Sequence, residues 1–142
     1  MQVFIIGTPI ETATVLDKKR LNKQIVECSQ ILSALHGKSA WRNHPCVLQY
    51  KEHVLWLYQY KQCLEQFAMG CVHTPQIYSE FADKRRPPFH TQEYFDQMKR
   101  RLYTKNPEHY KQWAHLGESQ VNWYWSKMEN KFIKYENGKR IE

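Results

Sequence analysis

The chain has 142 residues, a length that fits one domain with a real buried core. Hydrophobic residues make up 42% and aromatic residues 14%, which excludes a disordered chain, and no apolar run approaches the ~20 residues needed to span a bilayer. A formal charge of +7 points to a polyanionic partner, with nucleic acid ahead of an anionic membrane surface. The opening MQVFII lacks the basic start and cleavage site of a signal peptide, so an intracellular, cytoplasmic protein is expected.

Gln2 to Ile6 reads as a short extended lead-in. Thr8-Pro9-Ile10-Glu11 combines a capping box with proline at the first helical position, so a short helix starts there. Whether it bends at Asp17 or continues is left open. The stretch Leu16 to Leu35 is the first long helix, with Leu21, Ile25, Cys28, Leu32 and Leu35 as its apolar stripe, Asp17 as cap and Gly37 past its end. Arg20, Lys23, Gln24 and Glu27 share a different face. A lone carboxylate among bases there is either a catalytic acid on a phosphate-binding surface or a solvated face with an intrahelical ion pair. The residues alone leave both open.

After the connection Gly37 to Pro45, a second long helix is expected from about Cys46 to Met69, closed by Gly70. Its rings Tyr50, Trp56, Tyr58 and Tyr60 are expected in the core, with one or two available to stack on a base. Thr74-Pro75 opens a shorter helix that Lys84-Arg85-Arg86-Pro87-Pro88 ends in a stiff, exposed, basic loop. Thr91 caps a helix with Tyr94, Phe95, Met98 and Leu102 inward and Lys99, Arg100 and Arg101 outward. Asn106-Pro107 starts a last turn or two through Tyr110 and Trp113. Trp123-Tyr124-Trp125 has no assignable pattern, and Asn137-Gly138 either turns a small hairpin or sits in a loose basic tail. The fold class expected is all-α: a compact single-domain helical bundle over residues 1–142, with two long helices, several short ones and an irregular aromatic and basic C-terminal segment.

Cys28, Cys46, Cys63 and Cys71 show no CxxC spacing, and Cys28 and Cys63 fall in helical patterns that favour buried, reduced thiols. There is no HExxH, and His44-Pro45-Cys46 lacks the HxE and PCxxC of a zinc deaminase, so neither metal nor cofactor is expected. Three basic clusters recur: Lys18/Lys19/Arg20/Lys23, Lys84/Arg85/Arg86 and Lys99/Arg100/Arg101/Lys105. Interleaved with this many aromatic rings, they favour a phosphate backbone as partner.

Leu16-Asp17-x-x-Arg20-Leu21-x-Lys23-Gln24-x-x-Glu27 resembles the first-helix signature of the pyrimidine-dimer DNA glycosylases, the phage-type endonuclease V family, and within it a less studied bacterial and phage branch. Trp41-x-Asn43-His44-Pro45-x-Val47 followed by Tyr50, then Phe89-His90, then Lys105-x-Pro107-Glu108-His109-Tyr110, are similar to the same branch. Trp123-Tyr124 resembles the aromatic C-terminal segment of the phage enzymes. The resemblance implies a small all-α enzyme that binds and kinks duplex DNA, extrudes a nucleotide, cuts a glycosidic bond and nicks the abasic site. It further implies an α-amino group attacking C1′ to form a Schiff base, assisted by a glutamate that corresponds by position to Glu27. Free α-amines are partly unprotonated at neutral pH, and a carboxylate beside the sugar can stabilise positive charge and move protons.

The chain departs from the phage enzymes in three places. It has Arg20 where they carry histidine, and Val26 and Gln30 where they carry arginines. Its second residue is the bulky Gln2, which favours retention of Met1, and the chain starts earlier relative to the helix. A misplaced amine would leave Glu27 to activate water for base release without nicking, with His44 and His90 as spare acid–base groups. His44 before Pro45 has an equally good structural reading as a helix-start residue.

The function expected is therefore a DNA glycosylase, with or without abasic-site lyase activity, acting on a damaged or modified pyrimidine. Glu27, Met1, His44 and His90 are the catalytic candidates. Arg20, Lys23, Gln24, Trp41, Asn43, Arg85, Arg86, Arg100, Arg101, Lys105 and Trp123 are the nucleic-acid-binding candidates, and Trp41, His44 and His90 would shape a pocket for the extruded base. The partner expected is duplex DNA, with RNA left open, engaged by a monomer. The rival reading is a non-catalytic basic helical module that binds DNA or RNA.

Overall fold

The computed structural model describes residues 1–37, 40–117 and 121–141, so Lys38 and Ser39 of the expected first connection lie outside the described residues. The chain divides into two compact units, Met1–Pro87 and Pro88–Glu142.

The first unit is helical. Met1 to Ile5 belongs to no helix or strand, and the chain bends at Ile6 to Thr8 into the capping box that starts α1 (Pro9–Val15), where Thr8 accepts from the Glu11 amide and Glu11 reaches back to Thr8. Leu16 adopts extended backbone, so the chain bends there and α2 (Lys18–Leu35) is a separate helix. Asp17 stands at its N-cap position, but its side chain makes no capping hydrogen bond. A short 3-10 turn (Ala40–Asn43) leads to α3 (Pro45–Gln49), α4 (Val54–Ala68) and α5 (Thr74–Asp83). Helix α4 packs against α1, α2 and α5.

The second long helix expected from the sequence is two helices, broken at Tyr50 to His53 without glycine or proline. Packing explains the break. In one continuous helix Tyr50 and Trp56, six residues apart, would point roughly 120° away from each other. With the break both are buried and their rings stack at 5.4 Å, with Trp56 stacked in turn on Tyr60 at 5.0 Å. Beyond α5 the Lys84-Arg85-Arg86 loop is exposed as expected, although Pro87 is buried.

The second unit pairs a helix with a sheet. Thr91 caps α6 (Gln92–Lys105) by accepting from the Tyr94 amide, and Tyr94, Phe95, Met98 and Leu102 are buried. A 3-10 helix (Lys111–Leu116) follows, with Tyr110 and Trp113 stacked at 5.4 Å. The C-terminal segment is not irregular. It forms a three-stranded antiparallel sheet of β1 (Val121–Ser126), β2 (Lys131–Glu136) and β3 (Lys139–Ile141), which corrects the all-α expectation to mostly helical. In β1, Trp123 and Trp125 face Lys134 and Phe132 across the ladder, while Tyr124 points to the other face. Asn137 and Gly138, both at positive φ, make the tight turn of the β2–β3 hairpin.

All four cysteines are free thiols, and Cys28, Cys46 and Cys63 are buried. Burial pushes the Cys28 thiol well above its usual range and the Cys63 thiol up to about 12. Under native conditions an aromatic disulfide reagent should therefore label Cys71 first, with the other three reacting only on unfolding. Fast native labelling of more than one thiol would contradict this packing.

Candidate catalytic centre

The site begins with the backbone of the N-terminal segment. Val3, Phe4 and Ile5 are buried, yet they belong to no sheet, so their amides and carbonyls need side-chain partners. Gln24 binds the segment twice: its Oε1 accepts from the Phe4 amide and its Nε2 donates at 2.8 Å to the Gln2 carbonyl. The carboxamide thus acts like a neighbouring strand. Tyr60 donates its hydroxyl hydrogen to the Phe4 carbonyl, and Thr12 Oγ1 accepts from the Ile6 amide at 3.1 Å.

At the head of the segment, the Gln2 amide donates to Glu27 Oε2 at 3.3 Å, and Gln24 Nε2 approaches the same oxygen at 3.4 Å. The Met1 carbonyl accepts from the Cys46 thiol at 3.3 Å, which brings the start of α3 to the same place. Glu27 is 8% exposed, and among the described residues no ion pair involves it. The Lys23–Glu27 pair that the spacing allows is not formed. Glu27 is therefore a nearly buried carboxylate held by neutral N–H donors at the head of the chain. Such a group can accept a proton or stabilise a cation without first breaking a salt bridge.

The polar face expected on α2 is split by this arrangement. Lys23 is exposed and Arg20 half-buried, its guanidinium 5.8 Å from the centre of the Phe4 ring. Gln24 and Glu27 lie on the buried side with Leu21, Cys28, Ile31 and Leu32. Gln24 is wholly buried, and its carboxamide is spent on the chain itself rather than turned to solvent.

His44 caps α3: its Nδ1 accepts from the Cys46 amide at 3.1 Å, which places the proton of the neutral ring on Nε2. Trp41, 51% exposed, meets the His44 ring edge-on at 5.7 Å, and Asn43 is exposed beside it. This segment packs on α2, so Glu27, the chain head, His44, Trp41 and Asn43 belong to one unit. Arg85 and Arg86 are exposed in the loop after α5 of that unit, with Arg85 donating to the Phe81 carbonyl at 3.3 Å.

The remaining candidates lie in the second unit. His90 is buried among rings, stacked on Tyr94 at 5.4 Å and edge-on to Phe89 at 4.8 Å. Arg100 and Arg101 are half-buried rather than outward and line a cleft of about 480 Å³ with Tyr103, Thr104 and Asn122, while Lys105 is exposed. Trp123 fastens the sheet to α6: its Nε1 donates to Glu93 at 3.0 Å, and its backbone pairs with Gln97 at both ends.

Sequence reasoning missed Gln2 and Cys46 at the chain head, and Tyr60 and Thr12 as supports of the segment behind it. Their contribution is a backbone amide or a bond to a backbone atom, which no residue pattern announces. Glu27 and Gln24 were marked by their shared helix face and by the helix signature.

Residues 1–67 match the family model described as pyrimidine dimer DNA glycosylase, which supports the resemblance carried by the α2 signature. No curated protein and no solved structure matches the chain.

Proposed function

We propose, starting from the match of residues 1–67 to the pyrimidine dimer DNA glycosylase model, that the chain is a DNA glycosylase whose reacting centre is the Glu27 carboxylate together with an α-amine at the chain head. The observation that carries this reading is the 3.3 Å contact between the Gln2 amide and Glu27 Oε2. The α-amine of Met1 is one residue, at most ~3.8 Å, further along the chain, and removal of Met1 would turn the Gln2 nitrogen itself into the amine. Either amine lies within a short reach of Glu27. The longer lead-in is folded back along α2 instead of carrying the chain head away.

The chemistry follows from that adjacency. The unprotonated amine attacks C1′ of an extruded damaged pyrimidine nucleotide, and the glycosidic bond breaks with its electron pair leaving on the base, which takes up a proton. Glu27 stabilises the positive charge that builds on the sugar and accepts the proton released by the amine. The sugar ring then opens as the C1′–O4′ bond breaks with its electron pair on O4′, which takes the proton back from Glu27, and a protonated imine results. Removal of a C2′ proton then expels the 3′ phosphate and nicks the strand. In this reading His44, beside Trp41 and Asn43, meets the substrate from the α3 side, and exposed Lys23, Arg85 and Arg86 supply phosphate contacts.

Incubation with abasic-site duplex DNA and borohydride tests the reading. The reaction is expected to leave a covalent protein–DNA adduct, while a pyrimidine-dimer substrate has one glycosidic bond cut, its base staying joined to its dimer partner, and is nicked. Binding should weaken steeply with added salt. Base release without any adduct would replace the amine by water activated at Glu27, and neither release nor adduct would leave a binding module.

A further inference from the structure

The Gln24 carboxamide bridges the Gln2 carbonyl and the Phe4 amide and reaches Glu27 Oε2 with the same nitrogen. One wholly buried side chain on α2 thus sets the register of the N-terminal segment and touches the carboxylate that segment serves. We propose that Gln24 is a positioning residue for the amine reaction, holding the chain head at a fixed distance from Glu27.

The inference rests on the amine reading above, and its logic is geometric. A terminal segment ordinarily frays, because its backbone groups exchange readily with water. Here four side chains, Gln24, Tyr60, Thr12 and Cys46, bind its backbone in succession. Gln24 also contacts Glu27. Tyr60 and Thr12 secure Phe4 and Ile6, further along the segment, and they fix burial. Gln24 fixes the position of residue 2 relative to the reacting carboxylate. Displacement of a reacting group by about 1 Å costs on the order of 100-fold in rate, so the loss of this bridge is a kinetic lesion before it is a stability lesion.

The experiment compares Gln24→Met, which keeps length and removes all three hydrogen bonds, with Gln24→Glu, which keeps the acceptor for the Phe4 amide and removes the donor to Gln2 and Glu27. Thr12→Val is the control, since it removes a buried hydrogen bond to the same segment at Ile6, away from Glu27. Single-turnover borohydride trapping at saturating abasic DNA is read together with DNA affinity and melting temperature. Folded Gln24 variants are expected to trap about 100-fold more slowly with affinity within about threefold of wild type, while Thr12→Val melts lower but traps at the wild-type rate. Folded Gln24→Met or Gln24→Glu that traps at the wild-type rate overturns the inference and leaves the amine reading intact. A slowing in Thr12→Val that matches its loss of stability also overturns it, because any weakening of the segment would then suffice. Wild-type protein that forms no adduct overturns the amine reading and this inference together.

Discussion

Glu27→Gln is expected to bind duplex DNA within a few-fold of wild type while base release falls by about 100- to 10,000-fold. The substitution is conservative in structure. An amide oxygen in place of Oε2 can still accept from the Gln2 amide at 3.3 Å and from Gln24 Nε2 at 3.4 Å, so the chain head keeps its seat. What disappears is the negative charge and the capacity to take a proton. No ion pair is broken, since none involves Glu27 among the described residues, and no buried cation is left without a partner. A loss of activity without a loss of melting temperature would therefore assign the carboxylate to chemistry. Activity within tenfold of wild type would remove Glu27 from the mechanism.

Phe4→Ala is expected to cost about 3–5 kcal/mol of stability, the range for emptying a buried aromatic site. Phe4 is 1% exposed and sits between Val3 and Ile5, which are equally buried, so its ring is part of the core despite lying near the end of the chain. The Arg20 guanidinium 5.8 Å from that ring would lose its aromatic neighbour as well. Chemical or thermal unfolding measures the loss directly. A cost below about 1 kcal/mol would mean that the N-terminal segment is not seated along α2, and the proposed centre would lose its frame.

These two residues also show what the sequence disclosed and what it concealed. The existence of α2 was legible because Leu21, Cys28 and Leu32 recur at helical spacing, and Glu27 was legible through the signature that contains it. The placement of Gln24 was not. A glutamine beside lysine and arginine reads as solvent-facing until the segment that buries it is known, and that segment is paired with side chains instead of a strand. The break between α3 and α4 left no trace for a similar reason. It is driven by stacking of Tyr50 on Trp56, a tertiary effect, with no glycine or proline to mark it. In the second unit Asn137-Gly138 announced a turn. Three aromatic residues in a row at Trp123-Tyr124-Trp125 hid the alternation of β1, because both faces of that strand carry rings. His90 was marked by its residue type, whereas its burial among Phe89, Tyr94 and Phe95 depends on how that unit packs.

The most direct test is peptide mapping of the borohydride-reduced protein–DNA adduct by mass spectrometry, with the intact mass of the free chain identifying its first residue. The account predicts that the added mass sits on the α-nitrogen of the N-terminal peptide. An adduct on a lysine side chain, or base release with no adduct at all, would contradict it.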